Sequence, residues 1–256
     1  MTIWQAMILG LAQGITELLP ISSSGHLVIL QNWLQINPVP IIFDLYLHII
    51  SIVVIIYYFR DTLRQINLSL ISKLCLSTVP LVFFGFLIKN SIDTIFGSNV
   101  IAGVGLLISA LFNFWAARNF LTEHNQGNIT NKKAIFIGFF QAVALFPVIS
   151  RSGSTLFGSS LTQVDKKQAF EFSFLMAILA ILAASAGQII LKGSDYISLI
   201  NSIHWSSYLF GGAVCFITSL ASLRLLKLTL QKTKYHLFGW YCLFIGIITL
   251  SLHFFR

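Results

Sequence analysis

Long apolar runs dominate this 256-residue chain, and short polar stretches punctuate them. Runs near twenty residues match a membrane-crossing helix, and the chain lacks the alternating ten-residue segments of a membrane barrel. The pattern predicts crossings at 41–59, 71–88 and 99–118, and again at 168–191, 206–226 and 236–255. Residues 2–19 and 23–34 predict two helices broken at Pro20, whose ring clashes with the preceding turn and whose nitrogen carries no hydrogen. At about 1.5 Å per residue the second piece is too short to cross. The pair therefore reads as a re-entrant hairpin that dips into the bilayer and returns, followed by a loop at Asn37-Pro38-Val39-Pro40. After a polar linker at 119–133, residues 134–146 and 153–162 predict a second broken pair.

The halves echo each other. Gly10-Leu11-Ala12-Gln13 recurs as Gly138-Phe139-Phe140-Gln141, at an interval of 128, half the chain. Glu17-Leu18-Leu19-Pro20 answers to Leu145-Phe146-Pro147 with the proline slipped by one place, and Ser22-Ser23-Ser24-Gly25 answers to Ser150-Arg151-Ser152-Gly153. The expected fold is a single all-α polytopic membrane domain over 1–256, with repeat 1 at about 1–120 and repeat 2 at about 130–256. Each half holds one re-entrant helix hairpin plus three transmembrane helices. Three crossings per half invert the second copy, and an inverted-topology repeat places its site where the halves meet near the midplane.

Composition agrees: 56% of residues are hydrophobic and only 9% charged, against roughly a quarter charged in soluble domains. The net charge of +8 is read as topology rather than as a nucleic-acid surface, since no basic face interleaves with aromatics. Nucleic acid is not an expected partner. On one side of the predicted membrane lie Arg60, Arg64, Lys73, Arg118, Lys132, Lys133, Lys166, Lys167, Arg224, Lys227, Lys232 and Lys234. The other side holds Lys89, Lys192 and Arg256. That imbalance makes the first side cytoplasmic and puts both termini, with the mouth of the first hairpin, on the outer face. No basic stretch precedes the first apolar run, so no cleaved signal peptide is expected. Cys75, Cys215 and Cys242 lie singly in apolar runs and read as packing residues.

The candidate chemistry sits at the two breaks. Gln13 and Glu17 share one helix face at a spacing of four. A carboxylate at membrane depth is costly and calls for a functional reason. Ser22, Ser23, Ser24 and Gly25 open the next helix, with His26 in its first turn; one serine is expected to cap it. At the second break Arg151 stands between Ser150 and Ser152, with Gly153 and Thr155 following. Helix starts offer free N–H groups and a positive dipole end, and a guanidinium grips phosphate with two prongs. Glu17 or a ligand can be the anion that Arg151 needs. Asp44 and His48, also four apart, either line the cavity or form an interfacial pair, the second reading being preferred; His124, His204, His236 and His253 read as interfacial singly. Two classes fit these residues. One is an enzyme acting on a lipid-linked phosphate, with a serine nucleophile, Glu17 and His26 for proton transfer and Arg151 for charge. The other is an inverted-repeat anion or lipid transporter or flippase. The nucleophile–acid–base set favours the enzyme.

The stretch Gln13-Gly14-Ile15-Thr16-Glu17-Leu18-Leu19-Pro20-Ile21-Ser22-Ser23-Ser24-Gly25-His26 resembles the first signature of the undecaprenyl-diphosphate phosphatase family, the bacitracin-resistance type. Pro147-Val148-Ile149-Ser150-Arg151-Ser152-Gly153-Ser154-Thr155 resembles the second. Weaker echoes are Phe43-Asp44 with Leu47-His48, Tyr58-Phe59-Arg60, and Ala169 with Phe172-Ser173-Phe174-Leu175. The resemblance implies a hydrolase of the bacterial cytoplasmic membrane that removes the terminal phosphate of a polyprenyl diphosphate, releasing the carrier lipid for peptidoglycan synthesis. It implies an outward-opening site and a divalent cation, Mg²⁺ or Ca²⁺, with Gln13 and Glu17 as the candidate metal ligands. It makes Glu17, Ser23, His26 and Arg151 the catalytic candidates. Ser22, Ser24, Gly25, Ser150, Ser152, Gly153 and Thr155 become the phosphate-binding candidates. A homodimer is an assembly this reading admits. Three positions depart from the family pattern. Val148 replaces a glycine and is expected to reshape the second tip. Gln13 replaces a glutamate and should weaken a metal site, and Leu179 stands where a proline is expected.

Overall fold

The computed structural model describes residues 1–36, 41–88, 99–121, 127–200 and 204–254. The expected loop at 37–40, with Lys89, His124 and Arg256, lies outside them; for Lys192 and His253 only the backbone is described. The helices are α1 (Ile3–Thr16), α2 (Ser23–Trp33), α3 (Ile41–Tyr58), α4 (Arg60–Arg64), α5 (Leu68–Ile88), α6 (Asn99–Asn119), α7 (Asn131–Val143), α8 (Arg151–Leu161), α9 (Lys166–Ile200), α10 (Trp205–Gln231) and α11 (His236–Phe254). Among the described residues five helices are long and apolar enough to cross a membrane: α3, α5, α6 from Val100, α9 over Lys166–Ile190, and α10. The sixth expected crossing, α11, is described over a shorter apolar stretch, His236–Ser251.

Local chemistry sets the ends. Thr2 and Gln5 close a capping box at the start of α1, each side chain bonding the other's backbone N–H. The regular helix ends at Thr16 rather than 19; Glu17 still keeps helical angles and donates to the Gln13 carbonyl at 2.9 Å, and Pro20 restricts Leu19, the residue just before it. α5 begins at Leu68, earlier than the apolar run implies, because Asn67 Oδ1 accepts the Leu70 N–H at 2.8 Å. α9 runs past the predicted end at 191 and stays helical through Gly193 to Ile200; one glycine costs a helix only about 1 kcal/mol.

Small residues let helix backbones meet. α1 lies along α10, and a Cβ on Gly10 would stand 2.2 Å from the Gly211 carbonyl oxygen. α7 lies along α5 in the same manner, and a Cβ on Gly138 would stand 2.3 Å from the Ser77 carbonyl oxygen. α6 and α11 approach through Gly103 and Gly246, and α3 crosses α9. Lipid supplies no hydrophobic drive between helices, so such close contacts carry the association. The larger buried cluster includes Phe59, Phe170 and Phe174, where the end of α3 meets the start of α9. A smaller one, with Leu9, Leu27, Phe43 and Leu47, backs the first hairpin. Cys215 and Cys242 are buried as packing residues, whereas Cys75 is exposed on α5.

Gly10→Ala forces α1 off α10, because its new methyl meets backbone that cannot rotate away. It should lower stability by about 1–3 kcal/mol. Gly187→Ala, where nothing lies within 4 Å, should be neutral or stabilising by up to ~1 kcal/mol. Thermal unfolding of the two variants in detergent checks the contrast.

Candidate active site

Each break turns through a non-glycine residue in the left-handed region: Ser22 at φ 70 and Val148 at φ 63. A branched side chain there is strained by about 1–3 kcal/mol and persists only where surroundings hold it. Val148 is buried and wedged against the first tip, its Cγ1 2.6 Å from where a Cβ on Gly25 would stand. Ser150 caps α8 by accepting the Gly153 N–H at 3.2 Å. The expected serine cap on α2 is not made. Ser22 occupies the cap position, but its left-handed backbone turns the hydroxyl toward Ser24 Oγ, 3.4 Å away.

The tips are bolted together. Ser152 Oγ donates to the Leu19 carbonyl at 3.1 Å, and the Ser150 N–H donates to Ser109 Oγ at 2.9 Å. Asn113 Nδ2 donates to the Pro20 carbonyl at 2.7 Å, and Tyr235 OH donates to Asn113 Oδ1 at 2.9 Å. Thr155 Oγ1 bonds the Arg151 carbonyl and the Ser173 hydroxyl. Ser150, Ser152 and Thr155 thus shape the second tip through bonds within the protein.

Glu17 is the centre. It is buried, as are Gln13 and the serines of the second tip. Arg151 Nη2 donates to its Oε1 at 2.8 Å, and Ser23 Oγ donates to its Oε2 at 2.6 Å. Gln13 Nε2 reaches the same Oε2 at 3.4 Å. Arg151 Nη1 is buried with no hydrogen-bond partner among the described residues, and so is Gln13 Oε1. The structure therefore joins Gln13, Glu17, Ser23 and Arg151 in one cluster.

It sends His26 elsewhere. The His26 Nδ1–H donates to the Ser22 carbonyl at 2.6 Å, and Nε2 lies 2.7 Å from the Tyr241 hydroxyl on α11. The place left near Glu17 is taken by His48, whose Nε2 is 3.5 Å from Glu17 Oε2. Of the two readings of Asp44 and His48, the preferred interfacial one is therefore corrected in favour of the other, in which the pair lines the cluster around Glu17. His48 Nδ1–H donates to the Asp44 carbonyl at 2.7 Å, and Gln31 Nε2 donates to both Asp44 carboxylate oxygens at 2.9 and 2.8 Å. The i, i+4 spacing of two titratable residues inside an apolar run was the available signal for His48. Asn113, a lone amide within another such run, carried the same kind. Tyr235 and Tyr241 carried none.

For a hard divalent cation, no group of three or more His, Cys, Asp or Glu side chains gathers among the described residues. The unpartnered Gln13 Oε1 beside Glu17 still fits the oxygen donors of a cation bound by one carboxylate and completed by substrate phosphate and water. The second tip has a different inside. Gln141 is buried with neither amide atom hydrogen-bonded among the described residues, and Leu145 stands where the first half has Glu17.

Fold and site together define a class: a multi-pass helical membrane protein with a buried carboxylate–guanidinium pair where the α1–α2 and α7–α8 breaks meet. Residues 6–248 match the family described as Bacitracin resistance protein BacA, and the chain belongs to that family. It is 38% identical to an undecaprenyl-diphosphatase of Thermosipho africanus, over 94% of this chain and 97% of that protein. It is 38% identical to one of Protochlamydia amoebophila, over 97% and 98%, and 31% identical to one of Aquifex aeolicus, over 97% of each.

Removing one partner of a buried pair strands the other charge. Glu17→Leu should destabilise the protein by about 3–5 kcal/mol, and Glu17→Leu with Arg151→Met should recover most of that loss. Thermal unfolding of the single and double variants measures both.

Proposed function

We infer that this chain is an integral-membrane phosphatase that hydrolyses undecaprenyl diphosphate to undecaprenyl phosphate and inorganic phosphate, recycling the carrier lipid for cell-wall synthesis. Near-full-length likeness to proteins named undecaprenyl-diphosphatase supports the substrate. One observation carries the chemistry: Arg151 holds Glu17 through Nη2 and keeps Nη1 buried, without a partner among the described residues. That nitrogen suits a phosphate oxygen.

In this reading the prenyl tail lies in lipid between helices and the diphosphate reaches the tips. Ser23 Oγ attacks the terminal phosphorus as Glu17 Oε2, already its hydrogen-bond acceptor, takes the proton. The bond from phosphorus to the bridging oxygen breaks, and undecaprenyl phosphate leaves. Arg151 and the uncapped start of α2 balance the charge on the transferring group. Water then displaces Ser23 Oγ from phosphorus, leaving one of its protons on the phosphate and losing the other toward solvent, and Glu17 returns its proton to the serine. Gln13 Oε1 and Glu17 would hold a divalent cation, Mg²⁺ or Ca²⁺, whose charge would offset that of the diphosphate.

The finer architecture belongs to the same proposal: two inverted repeats, each with a re-entrant hairpin and three crossings. The 128-residue offset supports it, as does the exchange by which α1 pairs with α10 while α7 pairs with α5. The asymmetry of Lys and Arg supports a site open to the outer face of the cytoplasmic membrane, with both termini there. A homodimer is compatible with this arrangement.

Purified protein supplied with Mg²⁺ or Ca²⁺ should release inorganic phosphate from undecaprenyl or farnesyl diphosphate, and chelation should stop it. Folded protein that releases none overturns the reading, and uptake of a polar anion into proteoliposomes would favour a transporter instead. Arg151→Ala, Glu17→Ala and Ser23→Ala should each lower kcat by about a hundred-fold or more, the scale set by losing one charge-stabilising or nucleophilic group. Wild-type rates in the first two variants would remove the site assignment.

A further inference from the structure

His26 belongs to the signature that carries the chemistry, yet Ser23 bonds to Glu17 and not to it. Its two nitrogens are both engaged. A carbonyl oxygen only accepts, so the bond from Nδ1 to the Ser22 carbonyl at 2.6 Å requires the hydrogen to sit on Nδ1. In the neutral ring Nε2 is then bare, and the Tyr241 hydroxyl at 2.7 Å is its donor. The two rings are stacked, 5.7 Å between centroids and 15° apart, so Tyr241 fixes both the plane of the imidazole and the direction of Nε2. His26 lies three residues after Ser23 on α2, a spacing that shares one helix face. Tyr241 is 39% exposed and its bond to His26 is not enclosed, so its hydroxyl can turn away from Nε2 without breaking a buried network.

We propose that Tyr241 is a positioning residue that holds His26 Nε2 as the proton acceptor for the water that clears Ser23. This rests on the phosphatase reading. The water oxygen bonds to phosphorus and one of its protons passes to His26 Nε2, which Tyr241 has released. The bond from phosphorus to Ser23 Oγ breaks, and the serine recovers its proton from Glu17. The imidazolium then loses its proton to solvent at the mouth, and the Tyr241 hydroxyl returns to Nε2.

Tyr241→Phe keeps the stacked ring and removes only the hydroxyl. Diethylpyrocarbonate attacks a bare imidazole nitrogen, so peptide mass spectrometry should show His26 modified several-fold faster in Tyr241→Phe than in wild type. That measurement needs no turnover. In the phosphatase assay kcat should fall about ten-fold with KM nearly unchanged, a part of the hundred-fold or more that a positioned base contributes. On a His26→Gln background, Tyr241→Phe should cause no further fall. An unchanged modification rate would show that the hydroxyl does not cover Nε2. An unchanged kcat, or losses that add in the double variant, would show that Tyr241 does not act through His26. Any of these overturns the proposal. Wild-type protein that shows the expected labelling pattern but releases no phosphate would instead overturn the phosphatase reading.

Discussion

A carboxylate removed from water needs a positive partner, and in this molecule the partner lies 134 residues away. Glu17 cannot remain charged at the end of α1 unless Arg151 arrives at the start of α8, so both breaks must be held at one place. The rest of the structure serves that condition. Asn113 and Tyr235 fasten the Pro20 carbonyl, and Ser109 and Ser152 fasten the second tip to α6 and to the first. The close contacts of Gly10 and Gly138 with α10 and α5 fix the helices that carry the tips. Broken backbone at membrane depth survives only inside such an enclosure.

The pair also explains why the site is more than a salt bridge. One guanidinium nitrogen and one carboxylate oxygen complete the internal contact, which leaves Arg151 Nη1 and the Ser23 bond to Oε2 facing the chemistry. A fully satisfied pair would be inert. Here the internal contact fixes the geometry, and among the described residues Arg151 keeps one buried donor unpaired, the donor on which the proposed phosphate contact rests.

Much of this was legible in the chain because it is local. Gln13, Glu17, Pro20, Ser23 and His26 fall within fourteen residues, and apolar length gave the crossings. The 128-residue offset named Arg151 as the resident of the second tip. What stayed hidden depends on contacts between distant segments. His48 reaches Glu17 across a helix interface, and Tyr241 meets His26 from 215 residues away. The missing cap on α2 is hidden for another reason: Ser22 turns left-handed, a conformation for which serine gives no cue. Val148 shows the same effect. Its departure from glycine signalled a change at the tip, but only the fold shows the valine wedged over Gly25.

Gln141 marks what the second half lacks. It keeps the amide that Gln13 offers, but Leu145 stands in place of a carboxylate, and neither of its amide atoms finds a partner among the described residues. An unsatisfied buried polar group of this kind costs about 1–3 kcal/mol. The two tips therefore differ in charge: the first carries the carboxylate of Glu17 beside Ser23, the second the guanidinium of Arg151, so a single buried ion pair joins them rather than two equivalent ones.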